Sequence, residues 1–195
     1  MTNQRIYNLF QQSVEAKMQV GEELTPLISL ASEKLVECLL SERKILACGN
    51  GTSAAMAQIF SSSLLDRFEK ERPGLPAIWL GGNIATYTGI ASDASYTDVY
   101  AKPIRALGQA GDVLVVVSTS GNSSNLVQAV AAAHDRGLSV IALTGRDGGD
   151  MSSILDSNDL EICVAISSRG RIHEIHLLII FCMCDLIDHL LFGIE

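Results

Sequence analysis

An unbroken apolar run, Val113 to Val117, constrains the fold more than any other feature of the sequence. A strand with one face in water alternates apolar and polar residues, and this run does not, so both of its faces must be covered. Other largely apolar segments at 45–48, 77–80, 139–143 and 160–166 are separated by helical segments. Buried strands that alternate with helices predict an α/β fold in which a parallel sheet lies between layers of helices.

The polar segment after this run, Ser118 to Asn125, carries five hydroxyl groups and leads directly into a helix. Free backbone N–H groups and the positive end of the helix dipole favour an anion there, and Gly121 allows a ligand to approach closely. An N-capping turn is the alternative interpretation, but a cap needs only one hydroxyl. We therefore predict a phosphate-binding loop at the carboxyl edge of the sheet.

A second loop, Gly49 to Ala54, follows the first strand and fits the loose dinucleotide fingerprint G-x-G-x-x-A. That fingerprint needs an acidic residue at the end of the second strand, and residues 79–83 contain none. The chain also has no Gly-Lys-Ser/Thr sequence, which excludes a P-loop. A phosphorylated ligand without a nucleotide fits this loop better than a nicotinamide cofactor.

The charge balance argues against direct binding to nucleic acid. The chain has 14 Lys and Arg against 22 Asp and Glu, a net charge of −8, which repels a polyanion. The five cysteines form no C-x-x-C pair, so neither a zinc knuckle nor a disulfide framework is expected. The first residues lack a signal-peptide pattern, and the apolar run Leu177 to Cys184 is far shorter than the ~20 residues of a membrane span. A soluble, cytoplasmic protein is expected.

Two helices are expected before the first strand. Residues 3–20 place apolar side chains at steps of three and four, and Thr25 with Pro26 provides the cap and first position of a second helix. Together with the apolar last helix, they offer more apolar surface than one small sheet can cover. We therefore expect a homo-oligomer.

Four motifs give the chain a more specific resemblance. They are Cys48-Gly49-Asn50-Gly51-Thr52-Ser53, Ser118-Thr119-Ser120-Gly121-Asn122-Ser123, Leu143-Thr144-Gly145-Arg146-Asp147-Gly148-Gly149 and Arg171-Ile172-His173-Glu174-Ile175-His176. In this order and spacing they resemble the phosphoheptose isomerase branch of the sugar isomerase (SIS) family over essentially the full chain. The resemblance implies a three-layer sandwich with a five-stranded parallel sheet, a homotetramer and a site for sedoheptulose 7-phosphate.

The resemblance also implies an organisation and a set of binding residues. Residues 1–33 would be an N-terminal helical oligomerisation segment, and residues 34–195 the SIS phosphosugar-binding domain. The phosphate would be bound by Ser118, Thr119, Ser120 and Ser123. The sugar chain would lie near Asn50, Gly51, Thr52, Ser92, Asp93 and His173.

The family's acid–base and metal positions differ in this chain. The family pattern is His-x-x-x-Glu on the helix after the first glycine loop, and Gln followed eight residues later by His on the last helix; the corresponding residues here are Ile59, Ser63, His173 and Phe181. Ile and Phe cannot bind a metal, and neither Ile59 nor Ser63 is a base near neutral pH. No catalytic residue, metal or cofactor is therefore predicted, with zinc expected only if the chain is an isomerase after all.

This profile resembles the DiaA type of the family, a tetrameric adapter that associates with the replication initiator DnaA. The resemblance extends through residues 68–78, 98–102 and 184–188, and Leu191-Phe192 matches an exposed Leu-Phe pair that contacts the initiator. The alternative is that Leu191 and Phe192 seal a subunit interface. The expected function is a non-catalytic homotetrameric adapter for DnaA that binds a phosphosugar. The alternative function is a sedoheptulose 7-phosphate isomerase in heptose and lipopolysaccharide precursor synthesis.

Overall fold

A computed structural model describes residues 2–193 of the chain. All strands are parallel and form one sheet in the order β2-β1-β3-β4-β5. The strands are β1 Ile45–Gly49, β2 Ala77–Trp79, β3 Val113–Val117, β4 Ser139–Gly145 and β5 Leu160–Val164. The predicted α/β fold with a five-stranded parallel sheet between helices is confirmed.

Helices occupy both faces of the sheet. They are α1 Thr2–Leu40, α2 Thr52–Leu65, α3 Ile84–Asp93, α4 Ala101–Leu107, α5 Ser124–Asp135, α6 Gly149–Ser152 and α7 Arg169–Phe192. The helical stretch predicted from Ile84 to Leu107 is interrupted by a 3₁₀ turn, Tyr96–Asp98, between α3 and α4. Ser95 begins that turn, because its hydroxyl oxygen accepts a hydrogen bond from the Thr97 N–H.

Two apolar cores lie on opposite faces of the sheet. Along β1, Ile45 and Ala47 belong to the core under α1, α2 and α7, whereas Leu46 and Cys48 belong to the core under α4 and α5. Every residue of β1 and β3 is buried, as the unbroken apolar run predicted. Each fully buried aliphatic side chain contributes about 1.5–3 kcal/mol, so both cores stabilise the parallel sheet substantially.

The N-terminal region contains one continuous helix, where two helices were predicted. Pro26 lies inside α1, and the Thr25 hydroxyl donates to the Gly21 carbonyl oxygen at 2.7 Å instead of capping a new helix. The helix continues because Val20 and Leu24 before the proline and residues 31–38 after it bury one common stripe in the core. Packing thereby overrides the local cost of the proline. The predicted boundary between residues 33 and 34 falls within this helix and stays a prediction.

By length and composition alone, α7 could cross a membrane, although the apolar run within it is short. Its packing shows a different role, because α7 contacts both α1 and α2 and contributes nine buried residues to the domain. Two of them, His176 and Asp188, are polar and have protein hydrogen-bond partners. Helix α7 is therefore a core helix of the domain.

Candidate functional site

A cavity of about 310 Å³ opens at the carboxyl edge of the sheet, between the ends of β1 and β3. From β1 the chain moves outward to β2 and then returns to β3 on the other side, so this is the point where the strand order reverses. Parallel α/β sheets bind ligands at such points. The lining residues are Asn50, Ser53, Val117, Ser118, Thr119, Ser120, Ser123, Leu126, Arg146 and Arg169.

The hydroxyl loop, residues 118–123, has a fixed shape. Gly121 has φ 66°, and a Cβ atom there would lie 1.7 Å from the Gly148 carbonyl oxygen. The Gly121 N–H donates to the Ser118 hydroxyl oxygen at 3.1 Å, and the Gly121 carbonyl oxygen accepts from the Met151 N–H of α6. Only glycine fits between these two loops, so the loop that lines the cavity is formed before any ligand binds.

The capping alternative for this loop finds no support in the hydrogen bonds. Ser123 is the N-cap residue of α5, but its side chain makes no capping hydrogen bond. Among residues 2–193, the hydroxyl groups of Thr119 and Ser123 have no hydrogen-bond partner. These hydroxyls are therefore available to a ligand next to the N-terminus of a 12-residue helix.

Asn50 is held in place at the opposite wall of the cavity. Its amide exchanges two hydrogen bonds with the Asn125 amide, at 2.8 and 2.9 Å, and its Oδ1 also accepts from the Tyr96 hydroxyl at 3.3 Å. Neither Asn125 nor Tyr96 was predicted from the sequence. The available signal for Asn125 was an amide in the first turn of a helix that follows a polar loop, and the structure shows that this amide is buried.

The predicted phosphosugar residues do not all meet at this cavity. Asn50, Ser118, Thr119, Ser120 and Ser123 line it together. The other five lie outside the lining: His173, which is half-buried, and the exposed Gly51, Thr52, Ser92 and Asp93. They stay predicted contacts for the part of a ligand that extends beyond the cavity.

His173 lies one turn beyond Arg169 in α7 and is half-buried. Both of its ring nitrogens are shielded from solvent and have no hydrogen-bond partner among residues 2–193. Burial lowers the pKa of His173, and the neighbouring Arg169 guanidinium lowers it further. The imidazole is therefore neutral near pH 7.

The three other family positions lie on α2 and α7, two helices that pack against each other. Ile59 is 39% exposed, and the Phe181 ring packs against the Phe68 ring with centroids 5.6 Å apart. The Ser63 carbonyl oxygen accepts a hydrogen bond from Arg72 at 2.7 Å. Of the four positions, only His173 offers a side chain that commonly binds zinc, so this set does not fit a zinc site.

Two lining residues, Arg146 and Arg169, were not among the predicted binding residues. Arg146 follows β4, and Arg169 is the first residue of α7, so both lie at the same edge of the sheet as the hydroxyl loop. Single charged residues in loops carry no periodic signal. Their position after a predicted strand and before a predicted helix was the signal that could have identified them.

The fold and the cavity define a class of protein: an α/β domain in which a preformed hydroxyl loop lines a cavity at the reversal point of a parallel sheet. The chain belongs to the SIS domain family, whose model matches residues 9–145. The predicted family is thereby confirmed.

Full-length relatives place the chain within this family. A phosphoheptose isomerase of Chromohalobacter salexigens is 57% identical over 189 residues, covering 97% of this chain and 96% of the relative. A phosphoheptose isomerase of Methylococcus capsulatus is 52% identical, covering 98% of both chains. The solved structure of a phosphoheptose isomerase from Francisella tularensis has a TM-score of 0.94 at 41% identity, covering 97% of this chain and 99% of that one.

These relatives correct the function expected from the sequence. The chain was expected to be a non-catalytic adapter for DnaA, yet relatives more than half identical over nearly the whole length are phosphoheptose isomerases. The adapter prediction is therefore wrong, and the partner role of Leu191 and Phe192 loses its basis. In the structure Leu191 packs against the apolar core, whereas Phe192 is 39% exposed.

Proposed function

We propose that this chain binds a phosphorylated sugar in the cavity and acts as a phosphoheptose isomerase on sedoheptulose 7-phosphate. The hydroxyl loop carries the proposal, since hydroxyl groups, backbone N–H groups and the N-terminus of α5 converge there on one small volume. The names of the relatives at 57% and 52% identity support the same substrate class. A cytoplasmic location and a homotetrameric assembly belong to this proposal.

The phosphate would be bound by Ser118, Thr119, Ser120 and Ser123, with the sugar chain extending toward Asn50. The reciprocal hydrogen bonds with Asn125 leave the Asn50 amide nitrogen one further N–H, which can donate to a sugar hydroxyl. Because Asn125 also fixes the orientation of this amide, the contact would be specific for one sugar geometry.

Isomerisation moves a proton between two neighbouring carbons of the sugar and therefore needs a group that accepts and returns it. Ile59, Ser63 and Phe181 cannot do this near neutral pH. His173 is neutral and has unpartnered ring nitrogens, so it is the group to test as the base. The donor set at the four family positions does not fit zinc, and no step is assigned to a metal.

Binding and turnover should be measured separately. Calorimetry with sedoheptulose 7-phosphate tests the cavity, and product analysis with the same compound tests the isomerase. We expect Ser118→Ala and Ser120→Ala each to weaken binding by about tenfold to a hundredfold, because a hydrogen bond to a charged group contributes about 1.5–3 kcal/mol. Ser29→Ala, on the exposed side of α1, is the matched control and should bind as the unmodified chain does.

The outcomes separate the two parts of the proposal. Turnover that is lost in His173→Gln while binding is kept would support both parts. If the unmodified chain binds the sugar phosphate without turning it over, the proposed isomerase activity is wrong and the proposed phosphosugar site stands. Absence of binding would contradict both.

A further inference from the structure

Two arginine side chains at the cavity have no protein partner. Arg146 and Arg169 are exposed and line the cavity, and within residues 2–193 neither guanidinium makes a hydrogen bond or an ion pair. By contrast, Arg72 is paired with Asp188 and Arg171 with Glu174. The lining contains no Asp or Glu that could neutralise the two positive charges. In a chain of net charge −8, this cavity is a local site of positive charge.

Both arginines occupy positions that cost stability. Arg146 has φ 65°, in the left-handed region that disfavours side chains with a Cβ, and Glu42 is the other non-glycine residue with positive φ within residues 2–193. Arg169 begins α7, where the helix dipole repels a cation. A strained backbone and an unfavourable charge next to a cavity are features of binding sites.

The charge at the cavity matches one particular kind of ligand group. A phosphate monoester carries close to two negative charges at pH 7, because its second pKa is near 6. The hydroxyl loop and the N-terminus of α5 donate hydrogen bonds and a partial charge, whereas the two guanidinium groups supply two full positive charges. Arginine also presents several N–H donors in a geometry that fits phosphate oxygens.

We infer that Arg146 and Arg169 neutralise the phosphate of the bound sugar and select its dianionic form. This inference rests on the phosphosugar site proposed above and assigns its charge selectivity to residues outside the hydroxyl loop. A phosphate monoester should then bind more tightly than a sulfate ester of the same sugar, which carries a single negative charge. A site that used hydrogen bonds alone would discriminate less between the phosphate ester and the sulfate ester.

Arg146→Gly tests the inference, because it removes the guanidinium and also relieves the left-handed backbone. We expect this variant to melt at the same temperature as the unmodified chain or higher, and to bind sedoheptulose 7-phosphate at least about tenfold more weakly. Glu42→Gly relieves the same kind of backbone strain far from the cavity, so it should be equally stable and bind normally. Arg169→Gln should weaken binding by a similar factor without affecting the fold.

Glucose 6-phosphate and glucose 6-sulfate provide the probe for charge selectivity. The unmodified chain should prefer the phosphate, and the Arg146→Gly/Arg169→Gln double variant should lose most of that preference. If the unmodified chain binds phosphosugars and the variants bind them equally well, this inference is overturned while the proposed function stands. If the unmodified chain binds no phosphosugar, both are overturned.

Discussion

At the scale of single residues, His176 is the clearest case of a buried polar side chain with a defined role. It is fully buried in α7, and its Nε2 lies 2.7 Å from the Thr144 carbonyl oxygen, to which the neutral ring donates. Burial lowers the pKa of His176 to about 4, from an ordinary value of 6.5. The folded protein therefore requires this imidazole in its neutral form, next to the end of β4 that precedes Arg146.

This pKa predicts how stability depends on pH. Below pH 6.5 the unfolded chain binds a proton at His176, whereas the folded chain does not until about pH 4, so the free energy of unfolding falls as the pH is lowered. We expect a loss of about 2 kcal/mol between pH 7 and pH 5 from this group. Urea denaturation at both pH values measures it, and His176→Gln should show a smaller loss. The exposed His189→Gln should keep the full loss; equal losses in all three proteins would contradict the role of His176.

The site could be predicted from the sequence only in part, for a physical reason that operates residue by residue. The hydroxyl loop was recognisable because five hydroxyls follow one buried strand, and Asn50 because it follows another. Arg146 and Arg169 reach the same cavity from separate elements, and only the parallel arrangement of the strands brings them together. Their position next to a predicted strand end and a predicted helix start was the only signal that the sequence carried for them.

At the scale of elements, a buried ion pair joins the segment that follows α2 to α7. The side chains of Arg72 and Asp188 are 1% and 5% exposed, with Nε and Oδ1 2.8 Å apart. Arg72 also donates to the Leu64 and Ser63 carbonyl oxygens at the end of α2. One guanidinium thereby satisfies the unpaired carbonyl groups of a helix end and connects it to the last helix.

We predict that breaking this pair costs more than replacing it. Asp188→Ala leaves the Arg72 charge buried without its partner and should lower the free energy of unfolding by about 3–5 kcal/mol. A double variant, Arg72→Met with Asp188→Leu, should be less destabilised than Asp188→Ala alone, since no buried charge remains. Urea denaturation of the two variants measures their free energies of unfolding and tests this order. If the double variant proves the less stable, the carbonyl contacts of Arg72 outweigh the ion pair.

The strands were predictable as elements, but the N-terminal helix was not. Each predicted strand agrees with the structure to within two residues at either end, because complete burial leaves an unmistakable apolar run. Thr25 and Pro26 form a good helix start by local criteria, yet α1 continues through them. Local sequence could not reveal that residues on both sides of Pro26 bury the same stripe against the domain.

At the scale of the whole molecule, the first half of α1 presents apolar side chains that the domain does not cover. Phe10 is 70% exposed and Met18 is 75% exposed, and Ile6, Tyr7 and Val14 are also about half exposed or more. Exposed apolar surface of this extent on a helix is typical of a subunit interface. It supports the homo-oligomer expected from the sequence, and both the assembly and its subunit number stay predictions.

Charged residues on this surface should break the assembly. We expect the Phe10→Glu/Met18→Glu double variant to sediment as smaller species than the unmodified chain at micromolar concentration, because each buried carboxylate would lack a partner. Gln11→Glu with Gln19→Glu adds the same charge to the helix without removing an apolar side chain and should assemble normally. An unchanged sedimentation coefficient in the first variant would exclude the exposed half of α1 as an interface.

The packing of α1 against α7 joins the first helix of the chain to the last. During synthesis α1 leaves the ribosome long before α7 exists, and its apolar stripe then has no surface to cover it. The core that contains Val20, Leu24 and Leu35 also contains Ile180 and Ile187, so it is complete only after nearly the whole chain has been translated. Chaperones that shield apolar helices would therefore act on nascent chains of this protein until translation ends.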